Sequence, residues 1–379
     1  MKRILILSSS YPLSANDGSA AAGVFVRDIC MELVRQGARV VVITQARAGE
    51  IEVDEGIRVL RFPTIGLNKR AADLKIKNPV DLLAIFSMVV FGTAYALGAT
   101  LQAKLTRKPF DHAVAFWAVP AGLWAFVAEI IFGLPYRVWT LGSDIWVYGE
   151  HPLFRKLIRL VLRCAEKVFS DGLELQNRTS RIGGLAAEFL PSTRLLPLTA
   201  TASPFKNSKL NFVFIGRFHF NKGIDLLIEA IRNLPAELRM RTHFTLFGDG
   251  DLYEDVSNRA KDYGLAEIVT LPGYAGPDVV ASYLEHAHCL IIPSRIESIP
   301  VVFSDALQKR CPIIATNVGD MGGLLSNYKV GLLTEPNSID ISNSIIEMAT
   351  KTKQDFNEEL KRASALFDIK KIAARVSER

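Results

Sequence analysis

Histidine and cysteine are scarce in this chain of 379 residues, which has six of the first and four of the second. Cys30, Cys164, Cys289 and Cys311 show no C-x-x-C spacing, and each sits among apolar neighbours. That excludes a zinc ribbon, a thioredoxin-type redox pair and a disulfide scaffold, and it predicts buried free thiols in a reducing, cytoplasmic compartment. His286 and His288 enter a predicted strand at Cys289 without a third ligand, so a structural role outweighs a metal site. No other His, Cys, Asp or Glu grouping has metal-ligand spacing. G-x-G-x-x-G is missing too, which argues against a dinucleotide-dependent dehydrogenase. Short repeats and low-complexity runs are absent. After Met1-Lys2-Arg3 only four apolar residues, Ile4 to Leu7, follow, too few for the core of a signal peptide. The formal charge of +6 is mildly basic. It favours anionic partners such as nucleotide diphosphates or an acidic membrane surface, and it equally serves ordinary solubility.

What is present suits two domains. The length exceeds one domain and fits two of about 150–200 residues each, and 49% apolar residues suffice for two cores. Ile4 to Leu7 reads as a strand buried on both faces. A loop over Ser8 to Ala22 follows, rich in small and turn-forming residues, and then a helix, a glycine turn and a strand. This is a Rossmann-like opening, which places a ligand at the carboxyl end of the first strand. Ile57 to Phe62, Asp111 to Phe116 and Pro135 to Thr140 read as further strands. A basic loop runs from Lys69 to Lys77. Leu210 to Ile215 restarts the strand–loop–helix pattern after a linker with Pro197, Pro204 and a polar cluster.

Two stretches of the first half stand out. Leu82 to Leu101 carries no charged residue, a length that could span a bilayer. Gly92, Thr93, Gly98 and Thr100 dilute it and Asp81 adjoins it, so a buried helix, or one lying on a membrane surface, is expected. The segment from His151 to Phe169 places Arg155, Lys156, Arg159 and Arg163 around a stripe of Leu157, Leu160, Val161 and Cys164. A basic amphipathic helix suits an anionic leaflet; an ordinary helix half in the core reads the same way.

The chemistry concentrates in the second half. Gly216 to Gly223 leads into a helix, with Arg217 and Lys222 flanking the turn. Two cations beside free backbone N–H groups match a diphosphate. Pro293 to Gly319 runs from the end of a buried strand through Arg295-Ile296-Glu297 into a helix from about Ile299 to Lys309. Glu297 and Asp305, eight residues apart, are expected on one face of it, within reach of one ligand. Pro300 fits the first turn of that helix.

These residues resemble the retaining GT-B glycosyltransferases of the family-4 type, also called glycosyltransferase group 1. Glu297 and Asp305 match that family's acidic motif, with Asp305 in place of its second Glu, and Arg217 and Lys222 match its G-R-x(4)-K-G loop. The resemblance covers nearly the whole chain and is strongest over 210–320. It implies an α/β GT-B fold, two Rossmann-like domains facing a central cleft. The expected divisions are 1–203 for the acceptor side, 204–352 for the nucleotide-sugar side, and 353–379 for terminal helices returning to the first domain. It further implies that Glu297, Lys222 and Arg217 carry catalysis. Gly23, Gly216, Gly248, Gly273, Tyr274, Ser298, Ile299, Val301, Val302 and Asp305 would contact the donor, with Asp305 on the ribose hydroxyls. Asp144 would face the acceptor or sugar; a capping Asp in a turn is its alternative. Leu141-Gly142-Ser143-Asp144 stands where family sequences commonly read His-Gly-x-Asp, so the family histidine is Leu141 here; His151, at a predicted helix start, does not replace it.

The implied activity is retaining, metal-independent transfer of a sugar from a nucleotide-diphosphate sugar to a glycan or lipid-linked acceptor, in bacterial surface polysaccharide synthesis. No cofactor and no nucleic acid are expected. The setting is the cytoplasm, with peripheral contact at the inner face of an anionic membrane. The second reading is a non-catalytic GT-B protein that binds a nucleotide sugar or scaffolds another transferase, motivated by Leu141 and Asp305. A nucleotide-sugar 2-epimerase on the same fold ranks third.

Overall fold

The computed structural model describes residues 1–12, 23–46, 51–65, 78–197, 202–206 and 208–378, leaving aside the side chains of 46 and 51–54. Most of the Ser8 to Ala22 loop, the Lys69 to Lys77 loop and part of the linker therefore lie outside the described residues. The chain divides into two compact units, Met1–Ser192 with Ile369–Arg379, and Thr193–Asp368.

The first unit is built on β1 (Arg3–Ser8), β2 (Arg39–Ala46), β3 (Ile51–Asp54), β4 (Ile57–Pro63), β5 (His112–Phe116), β6 (Tyr136–Thr140), β7 (Lys167–Ser170) and β8 (Glu188–Phe189). Their order is β3-β4-β2-β1-β5-β6-β7-β8, and every pairing is parallel except β3 with β4. Its helices are α1 (Val24–Arg35), α2 (Pro79–Leu105), α3 (Ala121–Phe132), α4 (Ser143–Trp146), α5 (Pro152–Cys164) and α6 (Leu173–Gly183). Side chains alternate across the central strand. Leu5 and Leu7 join a core with α2, α3 and α5, and Ile4 and Ile6 join another with α1.

The second unit repeats the plan with β9 (Leu210–Ile215), β10 (Thr242–Phe247), β11 (Val269–Gly273), β12 (Cys289–Ile292), β13 (Ile313–Thr316) and β14 (Gly331–Thr334). They form one parallel sheet in the order β11-β10-β9-β12-β13-β14. Around it lie α7 (Ile224–Arg232), α8 (Ala236–Arg241), α9 (Tyr253–Asp262), α10 (Pro277–His286), α11 (Val301–Gln308), α12 (Met321–Tyr328), α13 (Ser338–Met348) and α14 (Asn357–Ser364); α15 (Ile369–Ser377) ends the chain.

Four expectations change. The division falls at Ser192/Thr193 rather than at 203/204. Its cause is polar docking of the connector onto α11: Gln308 Nε2 donates to Arg194 O at 2.8 Å, and Lys309 Nζ donates to Pro197 O at 2.8 Å. Residues 353–368 stay with the second unit, and only α15 joins the first. There the buried Arg137 Nη1 donates to Val376 O at 2.6 Å, and Gln36 Nε2 donates to Lys370 O at 2.9 Å. Cys164 is exposed, whereas Cys30, Cys289 and Cys311 are buried; all four are free thiols. Along α5 the buried positions are Ile158, Val161 and Leu162, so Leu160 and Cys164 of the expected stripe face outward.

The uncharged stretch becomes one helix of 27 residues, α2, capped by Asn78, whose side chain accepts from the Val80 N–H. It approaches α3 closely because Gly92 has no side chain: a Cβ there would lie 2.2 Å from the buried Trp124 ring. Gly92→Ala is expected to overpack this contact and cost about 1–3 kcal/mol. Gly98→Ala on the same helix meets nothing within 4 Å and should hold or raise stability. Thermal denaturation of the two variants compares them; equal melting temperatures would refute the contact.

Candidate functional site

In the second unit the chain builds outward from β9 to β10 and β11, then returns to place β12 on the other side of β9. The loops leaving β9 and β12 therefore diverge, and open parallel sheets bind ligands at such a switch point. Those loops are Gly216 to Gly223 and Pro293 to Ile299, the two stretches that the sequence singled out.

Two glycines permit close passages here, Gly223 between these two loops and Gly319 between the β12 loop and the loop after β13. Gly223 has φ +65°, and a Cβ on it would lie 1.9 Å from Pro293 O. Gly319 has φ +54°, and its Cβ would lie 2.0 Å from Glu297 O. Any other residue would push the loops apart. Arg295 then fastens them. Its Nη1 and Nη2 donate to the two carboxylate oxygens of Asp225 at 2.7 and 2.6 Å, and Nη1 also donates to Phe220 O at 2.8 Å. The guanidinium lies 4.1 Å from the Phe220 ring centroid. Burial raises the Asp225 carboxyl, but the Arg295 bonds and charge reverse this and hold it below the usual range. Arg295 and Asp225 were not legible as site residues; the signal was Asp225 directly after the Gly223-Ile224 helix start.

This clasp brings Lys222 and Glu297 into direct contact, the Lys222 Nζ donating to Glu297 Oε2. Both remain partly exposed. Arg217, in the same loop, is exposed, and its side chain makes no hydrogen bond or ion pair among the described residues. Gly216 N donates to Phe247 O at 3.0 Å, and Gly248 N donates to Gly273 O at 2.9 Å, so Gly216, Gly248 and Gly273 sit at adjoining strand ends. Tyr274 follows, 64% exposed. Ser298 Oγ donates to Asp320 Oδ2 at 3.2 Å, and Ile299 is buried. The helix starts at Val301, with Pro300 outside it as the cap. The first N–H groups, at Val301 and Val302, have no acceptor within the helix.

Asp305 departs from the expectation. It is fully buried, and Arg194 takes both of its oxygens, Nε donating at 3.0 Å to each. Burial raises its carboxyl above the usual range despite the Arg194 charge. Glu297 lies in the loop, four residues before the helix, so helical phase does not relate the two acids. Asp305 faces the connector and has no ligand face in this structure.

In the first unit the switch point lies between β1 and β5. Trp117 follows β5 with φ +72° and is partly exposed. Such a backbone is uncommon for a bulky residue and marks a held conformation. Asp144 helps to hold it. The carboxylate is fully buried and accepts from Ala118 N at 2.7 Å, Gly142 N at 3.1 Å and Leu141 N at 3.3 Å. Asp144 organises two loops from a buried position, and α4, whose first turn it occupies, has no side-chain cap. Burial raises it to about 6, the three N–H groups opposing. Leu141 packs against the core. Gly23 is buried at the start of α1, where a Cβ would lie 2.9 Å from Tyr11 N. His151 caps α5. His286 and His288 bond the carbonyls of Ser282 and Met348, each at 3.0 Å. Among the described residues no group of three or more His, Cys, Asp or Glu could hold a metal.

Comparison with known proteins places these features. A family model for glycosyl transferases group 1 matches residues 200–365, and one for a glycosyl transferase 4-like domain matches residues 20–189. The chain is 33% identical over 280 residues to an uncharacterized glycosyltransferase of Methanocaldococcus jannaschii, covering 71% of each chain. It is 25% identical over 363 residues to a putative teichuronic acid biosynthesis glycosyltransferase of Bacillus subtilis, covering 89% of this chain and 86% of that one. Its fold is similar to that of HepE from Anabaena, solved with UDP, with a TM-score of 0.69, 18% identity and coverage of 99% and 98%.

Two outcomes test the site's buried acids. Asp305→Ala would leave the Arg194 charge without its partner, so denaturant unfolding should lose about 3–5 kcal/mol; an unchanged midpoint would refute the pair's structural role. Asp144 has a folded value of about 6, above its unfolded one. Its stability contribution is full below the unfolded value and fades as pH rises through about 6, by about 2–3 kcal/mol in all. Asp144→Asn should flatten that decline between about pH 4 and 6 in urea titrations.

Proposed function

As the chain belongs to the group 1 glycosyltransferases, with a GT-B fold of two Rossmann-like units, we propose that it is a retaining, metal-independent transferase. The donor is a nucleotide-diphosphate sugar. The acceptor is a glycan or a lipid-linked glycan, and the pathway makes bacterial surface polysaccharide in the cytoplasm, at the inner face of the membrane. The observation that carries this reading is the Lys222–Glu297 contact at the β9/β12 switch point, with exposed Arg217 on the same loop.

In the ligand-free protein Glu297 is the counter-ion of Lys222. A donor diphosphate is the stronger partner for that ammonium, since it carries more charge and more acceptor oxygens. Its arrival would release the Glu297 carboxylate to accept hydrogen bonds from the sugar hydroxyls. Lys222, Arg217 and the N–H groups of Val301 and Val302 would then face charge that grows as the glycosidic oxygen departs with the diphosphate. Interactions that strengthen during bond breaking speed the reaction rather than only binding the substrate. Those cations and the helix end supply the neutralisation that a metal gives elsewhere. With Leu141 where the family carries histidine, the departing phosphate oxygen would itself take the acceptor's proton, on the face from which it leaves. The new bond forms on that same face, which is retention. Gly216, Gly248, Gly273 and Tyr274 lie at the strand ends where the base and ribose would rest.

Similarity to a fold solved with UDP supports a uridine-type donor, and similarity to a teichuronic acid enzyme supports a surface-polymer product. The second reading, a non-catalytic nucleotide-sugar binder, is favoured by two observations: Leu141, and the engagement of Asp305 by Arg194. Calorimetry with a panel of nucleotide sugars, followed by turnover assays with acceptors, separates the two. Binding with turnover is expected, and binding alone would select the scaffold. Lys222→Ala removes a charge-assisted contact worth about 1.5–3 kcal/mol, so donor turnover should fall about 10- to 150-fold. Activity within a few-fold of wild type would remove Lys222 from the diphosphate.

A further inference from the structure

Helix α2 has no polar side toward solvent. Its inner side buries Ala84, Ile85, Met88, Gly92, Ala96, Thr100 and Ala103. Its outer side exposes Leu82, Leu83, Phe86, Val90, Ala94, Gly98, Leu101 and Leu105, and no charge occurs between Asp81 and Lys104. Phe86 is 65% exposed. A surface helix of a soluble domain normally turns charged residues outward, and a continuous apolar face of this length marks a contact.

The surface continues beyond α2. Lys104 donates to Phe132 O and lies 5.7 Å from the Phe132 ring centroid, which sets the end of α3, with exposed Ile130 and Ile131, beside the end of α2. Helix α5 packs next to α3, where a Cβ on Gly122 would touch Val161. Its outer side shows Leu153 and Leu160 together with Lys156, Arg159 and Arg163. Among the described residues none of these three cations has an ion-pair partner. Because α2, α3 and α5 cover one face of one sheet, their outer sides form one surface: apolar along α2 and α3, cationic and apolar along α5.

We propose that this surface docks the chain on an anionic phospholipid bilayer. The outer side of α2 and the end of α3 enter the acyl boundary, and the α5 cations meet the headgroup phosphates. The helix lies in the membrane plane and does not cross it. Its inner side seals Trp124 and Phe62 in the core and buries Asp81, so a crossing helix would open the first unit. A second copy of this chain is the poorer occupant, since self-pairing would bring like cations together. The proposal deepens the membrane contact of the reading above and rests on that reading only for why a bilayer is needed.

Flotation of the full chain with vesicles decides it. Wild type should float with phosphatidylcholine–phosphatidylglycerol vesicles, leave them at high salt, and float poorly with phosphatidylcholine alone. The triple variant Lys156→Glu, Arg159→Glu, Arg163→Glu should bind at least about 100-fold more weakly. Phe86→Ser with Val90→Ser should lose the binding that wild type shows at low salt. Both variants change exposed side chains, and melting temperatures equal to wild type verify the fold. Equal flotation with neutral vesicles, no flotation, resistance to alkaline extraction, or a dimer that Phe86→Ser with Val90→Ser dissolves would each overturn the proposal. Nucleotide-sugar calorimetry on the same samples reads the other unit, so a failed donor site and a failed docking surface give different results.

Discussion

Lys222 and Glu297 belong to loops that leave different strands, 75 positions apart in the chain, and their contact depends on how closely those loops approach. Two close passages of backbone over backbone make that possible, Gly223 under Pro293 and Gly319 under Glu297. The Arg295–Asp225 fork then fixes the spacing, because a planar guanidinium meets a carboxylate in one geometry only. The outcome is a cation and an acid that hold each other while staying partly open to water.

Helix α11 serves two purposes at its two ends. Its first turn offers free N–H groups toward the Glu297 loop, and its later turns receive the connector through Asp305, Gln308 and the adjacent Lys309. The buried Asp305–Arg194 pair contributes definition more than stability, since a desolvated ion pair gains little over apolar packing but fails badly when broken. This ties the path by which the chain leaves the first unit to the helix that bounds the donor loop.

In the first unit a buried carboxylate again sets a loop. Asp144 gathers N–H groups from the ends of β5 and β6 and holds Trp117 in a backbone conformation that it would not choose alone. In the same unit α2 spends its inner side on packing and keeps an equally apolar outer side, which is where the lipid contact is drawn.

By itself the sequence determined the two strand–loop–helix openings, the parallel strands and the loops of Arg217, Lys222 and Glu297, because these are local patterns: apolar runs, glycine turns and charges at helix starts. It also marked the uncharged stretch that became α2. Tertiary structure alone decided which way the acids face. Asp305 was placed beside Glu297 on helical spacing, but Glu297 precedes the helix, and a connector more than a hundred residues earlier in the chain claimed Asp305. Asp144 could cap or contact ligand on sequence grounds; burial beneath Ala118 turned its carboxylate to hold two loops. The unit boundary, the solitary return of α15 and the Arg295–Asp225 fork were likewise illegible. Each rests on a contact between distant segments, and a one-dimensional pattern carries no information about which distant group arrives first to satisfy a buried charge.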